Sequence, residues 1–223
     1  MKETILSSKV SPFAEEVAKR LLDIGAIQFN LNTPFTWVSG IKSPVYCDNR
    51  KVTSDVEVRK FVVDSFVSLI KKDFPGTQII AGVATGGMAL GALIADRLNL
   101  PFIYVRQAPK EHGLKRQVEG AYEKGAKVVL IEDHISTGGS SFNAVQGLRN
   151  EELDMLALLS IMTYGFKKAQ DLFSENDVNH ISLCDLDTAI RVAGSEGKIS
   201  PEEKKSILEF KANPNGWGST RKK

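Results

Sequence analysis

Residues 128–141 read VVLIEDHISTGGSS, and the rest of the chain is organised around them. The four aliphatic residues 128–131 predict a strand that is buried on both faces of a sheet. Glu132 and Asp133 follow at its carboxyl end, and a loop of hydroxyls and glycines then leads into a helical pattern from about Ser140. Because ligands of open α/β sheets bind at the carboxyl ends of the strands, we expect a binding site here.

The composition of this loop indicates which ligand it binds. A loop of small residues before a helix presents backbone N–H groups and the positive end of the helix dipole, which suits a phosphate. Glu132 and Asp133 would repel a phosphate, but their oxygens can accept hydrogen bonds from the vicinal hydroxyls of a sugar. The segment therefore indicates a ribose 5-phosphate site. The alternative is a buried strand followed by an ordinary turn and a capped helix.

A second loop repeats this pattern one predicted strand earlier. Residues 82–87 read GVATGG, so that a strand again ends in glycines before a helix. A substrate with two phosphate ends needs two such loops, which makes Thr85 and Gly86 candidate ligands for the second phosphate. Taken alone, the segment is equally compatible with a tight turn between a strand and a helix.

Composition excludes several classes of protein. The chain has 223 residues, of which 42% are hydrophobic and 25% are charged, and its net charge is only +2. We therefore expect no general affinity for nucleic acid. No apolar run approaches about 18 residues and the N-terminus starts no signal peptide, so no membrane partner is expected. Cys47 and Cys184 have no paired spacing, which favours a reducing cytoplasm over a disulfide framework or a zinc cluster.

The order of predicted elements defines the fold class. From Ser54 onward, helices and strands alternate. The predicted strands are 78–84, 102–106, 127–133, 155–163 and 181–184, and the predicted helices are about 54–72, 85–99, 139–149, 166–174, 186–193 and 200–212. This alternation predicts an α/β fold with a mainly parallel sheet flanked by helices. We expect one domain over 1–223, with N-terminal hood elements at about 1–50, a core at about 51–212 and a loose tail at 213–223.

Three helix starts carry capping residues. Ser11 and Ser54 are each expected to cap the helix that follows. Residues 200–203, Ser-Pro-Glu-Glu, form a capping box for the last helix.

About 20 residues without apolar periodicity separate Arg106 from Lys127. They include several cations and a glycine, which predicts a flexible lid that neutralises a leaving pyrophosphate. A solvated charged loop is the alternative.

The hood segment at residues 35–48 carries aromatic side chains, exposed amides around Ser39 and Gly40, and one cation, Lys42. These groups suit a flat ring with a carboxylate. The alternative is that Trp37 and Tyr46 are core residues and that Lys42 is solvated.

Taken together, these motifs resemble the type I phosphoribosyltransferases. Residues 128–141 resemble their phosphoribosyl pyrophosphate (PRPP) motif, although His134 replaces an expected hydrophobic residue. The Ser-Gly-x-x-Ser-Pro hood pattern and the lid resemble the orotate-specific branch of that family. The resemblance implies transfer of ribose 5-phosphate from PRPP to orotate, with orotidine 5′-monophosphate and pyrophosphate as products.

The resemblance also implies roles for individual residues. The implied catalytic residues are Lys110, His112 and Asp133. The implied PRPP ligands are Thr85, Gly86, Arg106, Lys110, His112, Glu132, Asp133, His134, Ile135, Ser136, Thr137, Gly138, Gly139 and Ser140. The implied orotate ligands are Ser136, Lys42 and Tyr46. Mg²⁺ would be held mainly by substrate and water, and the enzyme would be a cytoplasmic homodimer with shared active sites.

Three positions depart from the branch, because Val38, Gly86 and Gln107 stand where many members carry lysine. Two other functions stay open. One is a phosphoribosyltransferase for purine bases, which the hood disfavours. The other is a non-catalytic PRPP-sensing regulator, which would be expected to carry an added nucleic-acid-binding module.

Overall fold

The structure of the chain is a computed structural model that describes residues 9–37, 39–108 and 116–218. The strands in these ranges are β1 (Lys9–Val10), β2 (Ile27–Phe29), β3 (Phe35–Thr36), β4 (Lys42–Ser43), β5 (Val45–Cys47), β6 (Ile79–Val83), β7 (Phe102–Val105), β8 (Val118–Glu119), β9 (Lys127–Ile135), β10 (Asp154–Thr163) and β11 (His180–Asp185). The helices there are α1 (Ala14–Asp23), α2 (Arg50–Ser54), α3 (Val56–Asp73), α4 (Gly86–Leu98), α5 (Gly139–Asn150), α6 (Lys167–Glu175), α7 (Leu186–Ser195) and α8 (Pro201–Ala212).

A seven-stranded sheet forms the centre of the fold, in the order β1-β11-β10-β9-β6-β7-β8. All neighbouring pairs are parallel except β7 and β8. The predicted mainly parallel α/β sheet is therefore confirmed. Because β6 and β9 are direct neighbours, the two glycine-containing loops emerge side by side at one edge of the sheet.

Burial of β9 on both faces explains its unbroken aliphatic run. Val129 and Ile131 pack into the core cluster shared with α1, α3, α4, α7 and α8. Val128 and Leu130 point to the opposite face, where α5 and α6 cover them. Consecutive side chains of a strand alternate between faces, so only a strand covered by helices on both sides needs an apolar residue at every position.

The sequence placed the starts of two helices incorrectly. Ser54 is the last residue of the short helix α2, and the cap of α3 is Asp55, whose Oδ1 accepts a hydrogen bond from the Val58 N–H at 2.9 Å. Ser11 does not directly cap α1, which begins at Ala14 after Phe13. The capping box at Ser200 and Glu203 is confirmed, with both of its reciprocal hydrogen bonds present.

Two short strands of the main sheet were not expected. β1 lengthens the sheet by pairing with β11, although it lies in the part of the chain expected to form only the hood. β8 pairs with β7, so part of the segment between Arg106 and Lys127, which was predicted to be an irregular loop, is a strand.

One residue of the tail predicted at 213–223, Trp217, packs against the domain, and residues 219–223 lie outside the described residues. The Trp217 side chain is buried, and its indole N–H donates to the Ser206 carbonyl at 3.0 Å. In the parts of the chain that the structure describes, no helix has both the length and the apolar character of a transmembrane span.

The hood is built from two small antiparallel pairs, β2 with β5 and β3 with β4. Asn49, which is 2% exposed, ties it to the core. Its Nδ2 donates to the backbone carbonyl of Asp133 at 2.7 Å. The hood is therefore fixed directly against the end of β9.

Candidate active site

The two glycine-containing loops enclose a cavity of about 230 Å³ at the carboxyl edge of the sheet. One wall is the β6–α4 turn with Thr85 and Gly86, and the other is the end of β9 with the loop before α5. The lining residues are Ala84, Thr85, Gly86, Gln107, Glu132, Asp133, His134, Ser136, Thr137, Gly138, Gly139, Ser140 and Ser141. The structure thus brings together ten of the residues that the sequence analysis singled out.

Ile135 is the exception within the PRPP motif. Its side chain is 1% exposed and belongs to the core. Its carbonyl accepts the Tyr164 N–H at 2.9 Å. The side chain and the carbonyl of Ile135 are therefore engaged inside the fold, and its contact with PRPP stays a prediction.

The loop before α5 has the backbone of an anion-binding turn. Gly138 stands at the N-cap of α5 with φ of +80°, a left-handed conformation that glycine adopts at low cost. The helix then starts at Gly139, so the first N–H groups of α5 are directed at the cavity that Ser136 to Ser140 line.

Close approach of the second loop to β9 explains two of its glycines. A Cβ on Gly86 would lie 2.5 Å from Cγ of Asp133, and a Cβ on Gly87 would lie 2.2 Å from the Ile131 carbonyl oxygen. A side chain at either position would push the loop away from the strand. The glycines therefore keep the predicted pyrophosphate loop in contact with the acid pair.

The two acids are not equivalent. Glu132 is 5% exposed, and its oxygens accept the Asp133 N–H at 3.0 Å and the Ser141 hydroxyl at 3.1 Å. Burial, and then the neighbouring charge of Asp133, raise the pKa of Glu132 well above its ordinary range. Asp133 is more accessible and also lines the neighbouring hood cavity. Glu132 therefore retains its proton more readily than Asp133.

His134 accounts for the Asp133 side of this difference. Its N–H donates to Oδ1 of Asp133 at 2.7 Å, and its Nδ1 lies 3.2 Å from the same oxygen, as an ion pair that is not aligned as a hydrogen bond. Burial alone would raise the pKa of Asp133, but the nearby imidazole and N–H of His134, together with Glu132, outweigh it and lower that pKa. Burial likewise opposes the charge of His134, but Asp133 raises the pKa of the imidazole overall.

Gln107 also lines this cavity. The sequence suggested only that it replaces a lysine found in many members of the family. Its Nε2 donates to the Ala84 carbonyl at 3.1 Å, and its Oε1 accepts the Ser140 hydroxyl at 2.8 Å. Nothing in the sequence alone indicates this bridge, because it depends on β6, β7 and α5 meeting at one edge.

A second cavity, of about 620 Å³, lies between the hood and the acid pair. Tyr46 and Ser136, two of the three predicted base ligands, line it together with Trp37 and Tyr164. Tyr46 stacks on Phe35 with ring centroids 5.2 Å apart, and Trp37 meets Tyr164 edge-on at 5.0 Å. These aromatic walls suit a flat ring.

Lys42, the third predicted base ligand, does not line this cavity. Its ammonium donates to the Thr36 hydroxyl at 2.6 Å across the β3–β4 hairpin. The amide of Gly40 is also engaged, since it donates to the Trp37 carbonyl at 2.8 Å to close the same hairpin. The Gly40 N–H is therefore not one of the exposed amides that were expected around Ser39 and Gly40.

Arg50 is the cation that the structure places at this cavity, and the sequence analysis missed it. Its Nε and Nη2 donate to the two oxygens of Asp48 at 2.6 and 3.0 Å. Asp48 thereby orients the Arg50 guanidinium, and its remaining N–H groups can donate to a ligand. Its position three residues after the end of the hood strand β5 was the signal that could have found it.

Only part of the predicted lid can be located. Arg106 lies at the start of the lid. Its backbone N–H donates to the Gln117 carbonyl at 2.9 Å, and its guanidinium Nη1 lies 3.8 Å from Glu119 Oε1. Arg106 lines neither cavity. Lys110 and His112 lie outside the described residues.

The described residues hold no group of three or more histidine, cysteine or acidic side chains suited to a metal. The acidic donors at the cavity are Asp133 and the protonation-prone Glu132. One ionised carboxylate beside a phosphate site fits Mg²⁺, which keeps most of its ligands from phosphate and water.

Comparison with known proteins shows which class of enzyme the chain belongs to. The phosphoribosyl transferase domain family matches residues 57–194, a range that contains both loops and the acid pair. Orotate phosphoribosyltransferase from Staphylococcus haemolyticus is 46% identical over 200 residues, which cover 90% of this chain and 99% of that protein. The enzyme of the same name from Porphyromonas gingivalis is 43% identical over 91% of this chain and 96% of its own length.

A solved structure agrees. The orotate phosphoribosyltransferase of Aeropyrum pernix superposes with a TM-score of 0.68 at 29% identity, covering 80% of this chain and 99% of that one. The chain belongs to the orotate phosphoribosyltransferase family.

Proposed function

We propose that the protein transfers ribose 5-phosphate from PRPP to orotate, releasing pyrophosphate and orotidine 5′-monophosphate, as a step of pyrimidine nucleotide synthesis. The observation that carries this function is the cavity between the β6–α4 and β9–α5 loops, with Asp133 between them. Two anion-binding turns separated by a carboxylate match a ribose that carries phosphate groups at both ends.

The reaction is a displacement at the anomeric carbon with inversion. Ser136 to Ser140 hold the 5′-phosphate, and Thr85 and Gly86 hold the pyrophosphate. Positive charge develops on the ribose as the pyrophosphate leaves. An ionised Asp133 beside the ribose hydroxyls stabilises that charge, and the low dielectric of a closed site strengthens the effect.

Glu132 has a supporting role in this proposal. Its carboxyl group accepts hydrogen bonds from the Asp133 N–H and from Ser141, at the start of α5. It thereby holds Asp133 and the 5′-phosphate loop in fixed relation, and its proton removes a second negative charge that would oppose phosphate binding. His134, beside Asp133, lowers the pKa of Asp133 and so favours its ionised form.

Leaving-group charge is neutralised by the lid cations Arg106, Lys110 and His112, with Lys110 acting most strongly in the transition state. Mg²⁺ completes the site, with Asp133 as the protein group that would contact it. When bound, the ion supplies charge neutralisation to the pyrophosphate oxygens.

The base lies in the hood cavity, against Tyr46 and beside Ser136. Orotate carries a carboxylate, and a guanidinium whose orientation is fixed by Asp48 is a suitable partner for it. Arg50 therefore takes the role that the sequence suggested for Lys42, whose ammonium is engaged by Thr36.

The working unit in this proposal is a cytoplasmic homodimer in which each lid acts on the partner's site. The lid lies between Arg106 and Lys127, a length of chain that could reach a second subunit. The two free, buried cysteines are compatible with a reducing compartment.

One assay tests the proposed function. Pyrophosphate release from PRPP is measured with Mg²⁺ and with orotate, uracil, adenine or hypoxanthine as the acceptor. Orotate should be preferred by several orders of magnitude. Preference for adenine or hypoxanthine would indicate a purine enzyme, and PRPP binding without turnover on any base would indicate a PRPP-binding regulator.

A further inference from the structure

The Gln107 side chain connects the two loops of the smaller cavity. On one side its Nε2 donates to the carbonyl of Ala84, at the end of β6. On the other side its Oε1 accepts the hydroxyl of Ser140, in the first turn of α5. The backbone of Gln107 is fixed as well, because its own carbonyl accepts Nδ2 of Asn143 at 2.7 Å.

The chemistry of an amide is required for this bridge. An amide has both donor N–H groups and an acceptor oxygen, so it can satisfy a carbonyl and a hydroxyl simultaneously. A lysine at this position would have only donors, and could not accept the Ser140 proton. Gln107 also adds no charge, so its contribution to a two-phosphate site is geometric.

We propose that Gln107 is a positioning residue that fixes the separation of the two phosphate-binding loops. The inference rests on the proposed function, because only a substrate with phosphate at both ends occupies both loops. Such a ligand gains from loops that are already at the correct spacing, since the second contact then forms within the same complex. A ligand with one phosphate end occupies one loop and gains nothing from the bridge.

Three probes separate these cases: PRPP, ribose 5-phosphate and inorganic pyrophosphate. Each is titrated calorimetrically with Mg²⁺ and without orotate, so that no turnover occurs. The test variant is Gln107→Met, which keeps the length of the side chain but removes both hydrogen bonds. Gln107→Ala is a second variant that also removes both hydrogen bonds, and the same outcomes are expected for it.

Gln117, directly before β8, offers a matched control. Its Nε2 donates to the Arg106 carbonyl at 2.7 Å and to the Asn143 carbonyl at 3.3 Å, and it lines neither cavity. Gln117→Met removes a comparable amount of hydrogen bonding next to Gln107, while the contacts of Gln107 with Ala84 and Ser140 stay in place.

Gln107→Met should weaken PRPP binding about tenfold, the size expected for one or two lost hydrogen bonds, and should change the other two affinities less than about twofold. Gln117→Met should leave all three affinities close to wild type. Equal weakening for all three probes, or no weakening for PRPP, would refute the bridge. Tighter ribose 5-phosphate binding would also refute it, because Gln107 would then compete with phosphate for the Ser140 proton.

The wild-type protein separates this inference from the proposed function. If it neither binds PRPP nor releases pyrophosphate with orotate, the proposed function fails. If it does both and the Gln107 variants bind the three probes like wild type, only the inference fails.

Discussion

Glu132→Gln and Asp133→Asn should have very different consequences, although the two residues are adjacent acids of one motif. Both changes replace a carboxyl group with an amide of nearly the same shape. Burial raises the pKa of Glu132 and shifts it toward its protonated form, whereas His134 lowers the pKa of Asp133 and shifts it toward its ionised form. The amide therefore imitates the working state of Glu132 and removes the working state of Asp133.

The contacts set the size of each effect. In Glu132→Gln, the amide oxygen can still accept the Asp133 N–H, and the amide nitrogen can donate to the Ser141 hydroxyl in reverse polarity. At most one hydrogen bond is weakened, which corresponds to about 0.5–1.5 kcal/mol and less than about tenfold in rate. Asp133→Asn removes a charge aimed at the developing cation, which costs about 2.7–4 kcal/mol, or roughly 10²–10³ in kcat.

Steady-state kinetics with varied PRPP and saturating orotate measure both variants against wild type, with circular dichroism as a check on folding. The expected order of kcat/KM is wild type, then Glu132→Gln within tenfold, then Asp133→Asn at least a hundredfold lower. Equal losses in the two variants would mean that both acids act ionised on the ribose. An unchanged kcat/KM in Asp133→Asn would remove the ribose assignment altogether.

The same pair predicts a pH dependence of stability. The pKa of Glu132 is higher in the folded chain than in the unfolded chain, so its favourable contribution is complete below the ordinary glutamate pKa and is lost as the pH rises through the raised value. Glu132→Gln has no such titration. The Tm of the variant minus the Tm of wild type, measured by differential scanning calorimetry, should therefore increase as the pH rises above about 4.3. A difference in Tm that falls with pH would contradict the assigned direction.

Three further outcomes are expected. Lys110→Ala should lower kcat more than it weakens PRPP binding, by about 2–4 kcal/mol of transition-state stabilisation, and equal losses would show that Lys110 only holds substrate. Arg50→Ala should raise the orotate KM about tenfold with little change for PRPP, whereas Lys42→Ala should not, and the reverse result would restore Lys42 as the orotate ligand. Mixing inactive Lys110→Ala and Asp133→Asn proteins should restore about a quarter of wild-type activity, because half of randomly exchanged dimers are mixed and each has one intact site. No recovery, with mixed dimers verified by mass spectrometry, would show that each lid serves its own subunit.

Local sequence was sufficient where neighbouring residues define the structure. The aliphatic run before Glu132 and Asp133 predicted β9, and the small residues after it predicted the start of α5. The capping box at Ser200 was equally local. The relation of Thr85 and Gly86 to the acid pair followed from the general rule that parallel strands end at one edge of a sheet.

Features that depend on distant contacts could not be read in the same way. Lys42 and Arg50 are both cations of the hood, and only the β3–β4 pairing shows that Lys42 is engaged by Thr36. β8 is two residues long and has no periodicity, and it exists because β7 offers it a partner. The unequal acids likewise reflect burial by the surrounding fold, which residue type alone does not reveal.

The pairing of β1 with β11 has a consequence for synthesis on the ribosome. The Ser11 hydroxyl donates to the Leu183 carbonyl across 172 residues of chain, and α1 packs against α7 in the same layer. At about 5–20 residues per second, translation needs roughly 9–34 s to produce the intervening segment. Until α7 has emerged, the apolar face of α1, with Val17 and Leu21, lacks one of its packing partners, so a helix that is made early completes its packing late.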